Sequence, residues 1–122
     1  MDSRVAQVIA LMSDDLQRGF PLRKMAESVN LSPTHLCGLF KVEIGMPPAR
    51  YLRQLRMNNA RHLLATTFLS IKEVMIEVGF TDESHFVRDF KRLYGKTPTQ
   101  YRREVLPAQP KGKLESARKI GQ

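Results

Sequence analysis

The chain has 122 residues, enough for one domain or two very small ones that bury roughly two thirds of their unfolded surface. Twenty Lys and Arg against twelve Asp and Glu leave a net charge of +8, which favours a polyanionic partner. No apolar run approaches the roughly 18 residues of a spanning helix, the N-terminus lacks a signal-peptide core, and one cysteine with three scattered histidines offers neither a disulfide nor metal-ligand spacing. A cytoplasmic protein with no membrane partner is expected.

Val5, Val8, Ile9, Met12 and Leu16 recur at the spacing of an amphipathic helix, which Gly19 and Pro21 stop. Leu22, Met25, Ala26 and Val29 mark a second, short helix. Asn30 and Leu31 turn the chain. Ser32 as N-cap with Pro33 at the first helical position opens a third helix. It carries Leu36, Leu39, Phe40 and Ile44 inward until Gly45 ends it. A longer helix follows Pro47 and Pro48 to about Ala65; it buries Tyr51, Leu52, Leu55, Ala60, Leu63 and Leu64 and keeps Arg50, Arg53 and Arg61 wet. Arg56, among apolar neighbours, reads as an internal brace across the subdomain boundary. Ser70 with Glu73 has capping-box spacing and opens a fifth helix that carries Ile71, Val74, Met75 and Val78 inward. Gly79, Phe80 and Thr81 turn the chain, and Asp82 caps a sixth helix that buries Phe86, Phe90 and Leu93 and ends at Gly95. Thr97, Pro98 and Gln100 start a seventh. From Pro107 to Gln122 the composition is that of a basic, disordered tail.

The chain repeats itself. Phe40, Lys41, Gly45, Pro48 and Tyr51 recur fifty residues later as Phe90, Lys91, Gly95, Pro98 and Tyr101. Upstream, Leu22, Met25, Ala26, Val29, Leu31 and Ser32 match Ile71, Val74, Met75, Val78, Phe80 and Thr81 at a spacing of forty-nine. The extra residue must fall in the turn between the two blocks. Two short helices joined by a tight turn form a helix-turn-helix, whose second helix fits a major groove about 12 Å wide. A repeated unit of that kind in a basic chain points to a binder that touches duplex DNA at two places. At about 1.5 Å per residue the helix between the units spans about 25 Å, and with the widths of its flanking units it would suit the roughly 34 Å spacing of successive major grooves.

The segments Leu31 to Leu36 with Phe40 and Lys41, Arg56 to Leu64, Val78 to Asp82 with Ser84, His85, Phe86, Phe90 and Lys91, and Gly95 to Tyr101 resemble the DNA-binding domain of the AraC/XylS family of bacterial transcription regulators. The resemblance implies an all-α, seven-helix domain over residues 1–106. It would hold a first helix-turn-helix at about 22–45, a linking helix at about 48–65, a second helix-turn-helix at about 70–94, and a tail at 107–122. It also implies binding to asymmetric promoter sites. Two departures stand out: Met75 replaces the small residue that Ala26 supplies in the first repeat, and Cys37 and Gly38 stand where members often present longer polar side chains.

The apolar stripes leave outward Thr34, His35, Cys37, Gly38 and Lys41 in the third helix, and Glu83, Ser84, His85, Val87, Arg88 and Lys91 in the sixth. With the turn and cap residues Ser32, Pro33 and Thr81 they form the candidate DNA-contacting set. Arg88 suits a bidentate contact with guanine or a local pair with Asp89 or Asp82, and Glu83 an acceptor for cytosine or a charge matching the helix dipole. His85 suits either a base contact or a pair with Asp89 four residues on. Arg50, Arg53 and Arg92, with Arg61, Arg102 and Arg103, are divided between phosphate contacts and solvated surface. Gly38 costs about 1 kcal/mol in a helix interior and permits close approach to DNA if that helix faces it. Phe40, Phe86, Phe90, Tyr51 and Tyr101 are core by periodicity.

No Ser/His/Asp set, carboxylate pair or phosphate loop stands on structure that would hold it, so no enzyme, cofactor or metal is expected. The expected partner is double-stranded DNA, bound by a monomer of this segment. The rival is a protein-interaction module that docks on RNA polymerase and has only nonspecific DNA affinity, and it would show an exposed apolar patch on the sixth helix.

Overall fold

A computed structural model describes residues 1–14, Leu16 and 21–106. The stop signal at Gly19 and the basic tail from Pro107 lie outside the described residues. Among those described there are seven helices and no strands: α1 (Ser3–Asp14), α2 (Leu22–Ser28), α3 (Pro33–Ile44), α4 (Pro48–Thr66), α5 (Ile71–Glu77), α6 (Glu83–Tyr94) and α7 (Pro98–Val105). The chain divides into two compact units, Met1–Met57 and a second from Asn58 onward.

In the first unit α1, α2 and α3 pack on one another. The α1 stripe is buried at Val5, Val8 and Met12, with α2 adding Met25 and Ala26, Val29 the turn, α3 Leu36 and Phe40, and α4 Leu52. Leu16 lies beyond the end of α1 and still packs, half-buried, against this core. The Phe40 and Tyr51 rings meet edge to face at 5.5 Å, a geometry that lets the positive edge of one ring face the other's π cloud. Arg56 is half-buried rather than internal, and its bond stays within this unit: Nε donates to the Leu16 carbonyl at 3.1 Å. That satisfies an acceptor just past the end of α1, and burial pulls the guanidinium below its ordinary pKa.

In the second unit α6 packs against both α5 and α7. Ala60 and Leu64 of α4, Val74, Met75, Val78, Phe86 and Phe90 are buried. Phe90 contacts the rings of Phe86, Tyr94 and Tyr101 at 6.1, 4.7 and 5.8 Å. Leu93 is 44% exposed, contrary to its expected burial. The inward place in the last turn of α6 goes to Tyr94, whose hydroxyl donates to Asn58 Oδ1 at 2.9 Å and whose ring lies 4.6 Å under the Arg61 guanidinium. Asp89 takes another inward position and is 4% exposed.

Arg102 corrects a second expectation. It is not a surface cation: it donates to the backbone carbonyls of Leu64, Thr67 and Leu69. One planar fork thus serves three acceptors at the end of α4 and in the connection to α5. Burial lowers its pKa as well. In α4, Leu52, Ala60 and Leu64 are buried, Tyr51, Leu55 and Leu63 half-buried, and Arg50, Arg53 and Arg61 exposed, as the pattern predicts. Met57, which the pattern did not single out, is fully buried.

Candidate nucleic-acid interface

Each helix pair is joined by one residue with positive φ. Asn30 (φ 59°) follows α2 and Gly79 (φ 95°) follows α5. Asn tolerates the left-handed region better than most side chains, and Gly enters it without penalty. In both units a backbone amide then reaches back into the first helix. Leu31 N–H donates to the Ala26 carbonyl at 2.9 Å and Phe80 N–H to that of Met75 at 3.0 Å. The larger Met75 therefore leaves this turn bond unchanged.

The second helix of each unit is started by its own cap. Ser32 Oγ accepts from His35 N–H, and Asp82 Oδ1 from His85 N–H, each at 3.1 Å. Each ends on a left-handed glycine, Gly45 or Gly95, whose N–H bonds to the carbonyl of Lys41 or Lys91 at 2.8 Å. Two residues stand between Gly79 and the cap Asp82, where one stands between Asn30 and Ser32. The extra residue of the second repeat is thus in the turn, as the shift in spacing required.

The caps and glycines fix which side chains face solvent. Ser32, Pro33, Thr34, His35, Gly38 and Lys41 are exposed on α3 and its cap, and Cys37 is half-buried. Thr81, Glu83, Ser84, His85, Arg88, Lys91 and Arg92 are exposed on the second turn and α6, and Val87 is half-buried. Cys37 and Val87 are equivalent positions fifty residues apart, and both sit at the edge of their helix's inward stripe. Arg50 and Arg53 are exposed on α4. Arg88 has no ion-pair partner among the described residues; Asp89 is approached instead by His85 Nε2 at 3.2 Å and Arg92 Nη1 at 3.6 Å. A Cβ on Gly38 would meet nothing within 4 Å.

Asp89 is the residue that sequence reasoning underrated. His85 approaches its Oδ2 without hydrogen-bonding geometry, so this fully buried oxygen has no hydrogen-bond donor among the described residues. Its place in the stripe Phe86, Asp89, Phe90, at i, i+3 and i+4, was the available signal. Among the described residues no group of three or more His, Cys, Asp or Glu is placed to hold a metal ion, and no helix is long and apolar enough to cross a membrane.

Two successive helix-turn-helix units, each with a capped and solvent-facing second helix, place the chain in a recognisable class. A family model described as a helix-turn-helix domain matches residues 25–104. The arabinose operon regulatory protein of Escherichia coli is 35% identical over 103 residues, 84% of this chain and 35% of that protein. An AraC-type DNA-binding transcriptional regulator from Chromobacterium violaceum superposes with a TM-score of 0.80 at 28% identity, covering 87% of this chain and 96% of that one. The DNA-binding domain of AdpA, solved in complex with a target DNA, gives 0.79 at 27% identity, covering 87% and 98%. The chain belongs to the AraC-type helix-turn-helix family. It spans about a third of the length of the curated relatives it matches.

Proposed function

We propose that this chain binds double-stranded DNA sequence-specifically as the DNA-binding part of a bacterial transcription regulator. One monomer would use α3 and α6 as its two recognition helices in successive major grooves. The observation that carries this reading is the outward face of α6. Glu83, Ser84, His85 and Arg88 are all exposed there, and Arg88 has no ion-pair partner among the described residues. A docking surface for RNA polymerase would instead need contiguous apolar area on that face, and the exposed Leu93 lies only in its last turn. Phosphate contacts are assigned to Arg50, Arg53, Lys41, Lys91 and Arg92, base contacts to Arg88, Glu83 and His85, and close backbone approach to Gly38.

Selection of a site from random duplexes, followed by a salt titration on it, tests the proposal. Each neutralised phosphate contributes about 0.9 to the slope of log K against log salt, and about six to ten contacts are expected. The selected site should be asymmetric, because the two units expose different residues. A slope near zero, or no preferred sequence, overturns DNA reading; an obligate dimer on an inverted repeat overturns monomeric use of the two units.

A further inference from the structure

We propose that Asp89 is a positioning residue for sequence reading: its carboxylate, set against the His85 imidazole, selects one tautomer of that ring on the DNA-facing side of α6. The inference rests on the reading of α6 as a recognition helix.

The repeat supplies an internal control. Fifty residues before His85 stands His35, whose backbone amide bonds to its N-cap at the same 3.1 Å. Fifty residues before Asp89 stands Leu39, a half-buried apolar residue packed against the first core. The same helix-turn-helix is therefore built with leucine at this position, and the fold does not require a carboxylate. Its presence carries two costs. A buried carboxylate with an oxygen lacking a donor is unfavourable, and a negative charge on a helix turned toward phosphates is unfavourable again.

What the carboxylate gains is contact with two exposed side chains, His85 one turn before it and Arg92 one turn after. Nε2 is the imidazole nitrogen that faces Asp89, at 3.2 Å. The contact lacks hydrogen-bonding geometry, yet a negative charge at that distance favours the tautomer that carries the proton on Nε2 and leaves Nδ1 as an acceptor. In the major groove an acceptor complements the amino group of adenine or cytosine. His85 lies in the first turn and a half of α6, the part of a recognition helix that meets base edges. His35 has no such partner at the position four residues on, which is Leu39.

The experiment compares the parent, Asp89→Leu and Asp89→Asn, each on the selected site and on scrambled duplex, together with the imidazole nitrogen resonances of His35 and His85 in the free protein. In the parent, His85 should show the Nε2-protonated form and His35 an average of both tautomers. Asp89→Leu should make His85 resemble His35 and lower the ratio of affinities on selected and scrambled DNA roughly tenfold, the worth of one base contact. Asp89→Asn keeps an acceptor and should retain part of that ratio. The proposal is overturned if His85 is averaged like His35 in the parent, a readout that stands even if Asp89→Leu fails to fold. It is also overturned if Asp89→Asn loses as much selectivity as Asp89→Leu, or if neither loses any. Arg88→Ala separates this failure from that of the larger reading: if it relaxes base preference while both Asp89 variants keep theirs, only the role of Asp89 falls.

Discussion

The two halves of this chain share their scaffolding and differ in what they show to solvent. In each, a left-handed residue turns the chain, a side-chain oxygen accepts the third helical N–H, a glycine closes the second helix, and a phenylalanine meets the tyrosine eleven residues on, edge to face. Outward, α3 presents Thr34, His35, Gly38 and Lys41, whereas α6 presents Glu83, Ser84, His85, Arg88, Lys91 and Arg92. Most residues that recur are those that local geometry demands, though His35 with His85 and Lys41 with Lys91 recur on the exposed face as well. The other exposed positions diverge, and on the proposed reading they are what sets the two units apart on DNA.

The largest expected effect tests the shared scaffold. Phe40→Ala and Phe90→Ala should each cost about 3–5 kcal/mol. Phe90 should cost more, because it contacts three rings where Phe40 meets one among the described residues, and each such pair adds about 0.5–1.5 kcal/mol. Equilibrium denaturant unfolding of both variants measures it. A smaller loss at Phe90 would mean that the second core repacks where the first does not.

Next come the variants that test the division of labour on DNA. Arg88→Ala should cost about 1–3 kcal/mol on the selected site and relax preference at one base pair, whereas Arg53→Ala should weaken selected and scrambled duplexes alike. Titrations on both duplexes decide. If Arg88→Ala lowered both equally, α6 would be an anchor rather than a reader.

The smallest effects lie in two glycines with opposite expectations. Gly95 sits at φ +78°, so Gly95→Ala should destabilise by about 1 kcal/mol. Gly38 lies mid-helix in open space, so Gly38→Ala should stabilise by about 0.5–1 kcal/mol. The same change should weaken DNA binding. Thermal melts beside binding curves read both signs, and a Gly38→Ala variant that bound as well as the parent would remove position 38 from the interface.

Element order was legible because this fold announces its helices by caps: Ser32, Ser70, Asp82 and Thr97 each accept the hydrogen bond their position implied. Residues defined by a single stripe were less legible. Leu93 and Tyr94 compete for one inward place in α6, and hydropathy favours leucine. The tyrosine takes it because Asn58 receives its hydroxyl and Arg61 covers its ring, partners that periodicity along α6 does not contain. Arg102 was misread for a similar reason, since its acceptors are backbone carbonyls more than thirty positions earlier. Of the candidate site, the outward set was readable from the stripes. The burial of Asp89 was not, because a carboxylate is ordinarily assigned to the surface.

The one-residue difference between the two turns shows how such a chain tolerates editing. A helix whose first turn is fixed by its own cap carries its register with it, so a residue gained or lost upstream shifts the helix along the sequence without rotating its faces. Thr81 is that residue here. Insertions inside α3 or α6 would turn every later side chain by about 100°, whereas the turn absorbs a change of length and leaves the outward face of each copy intact.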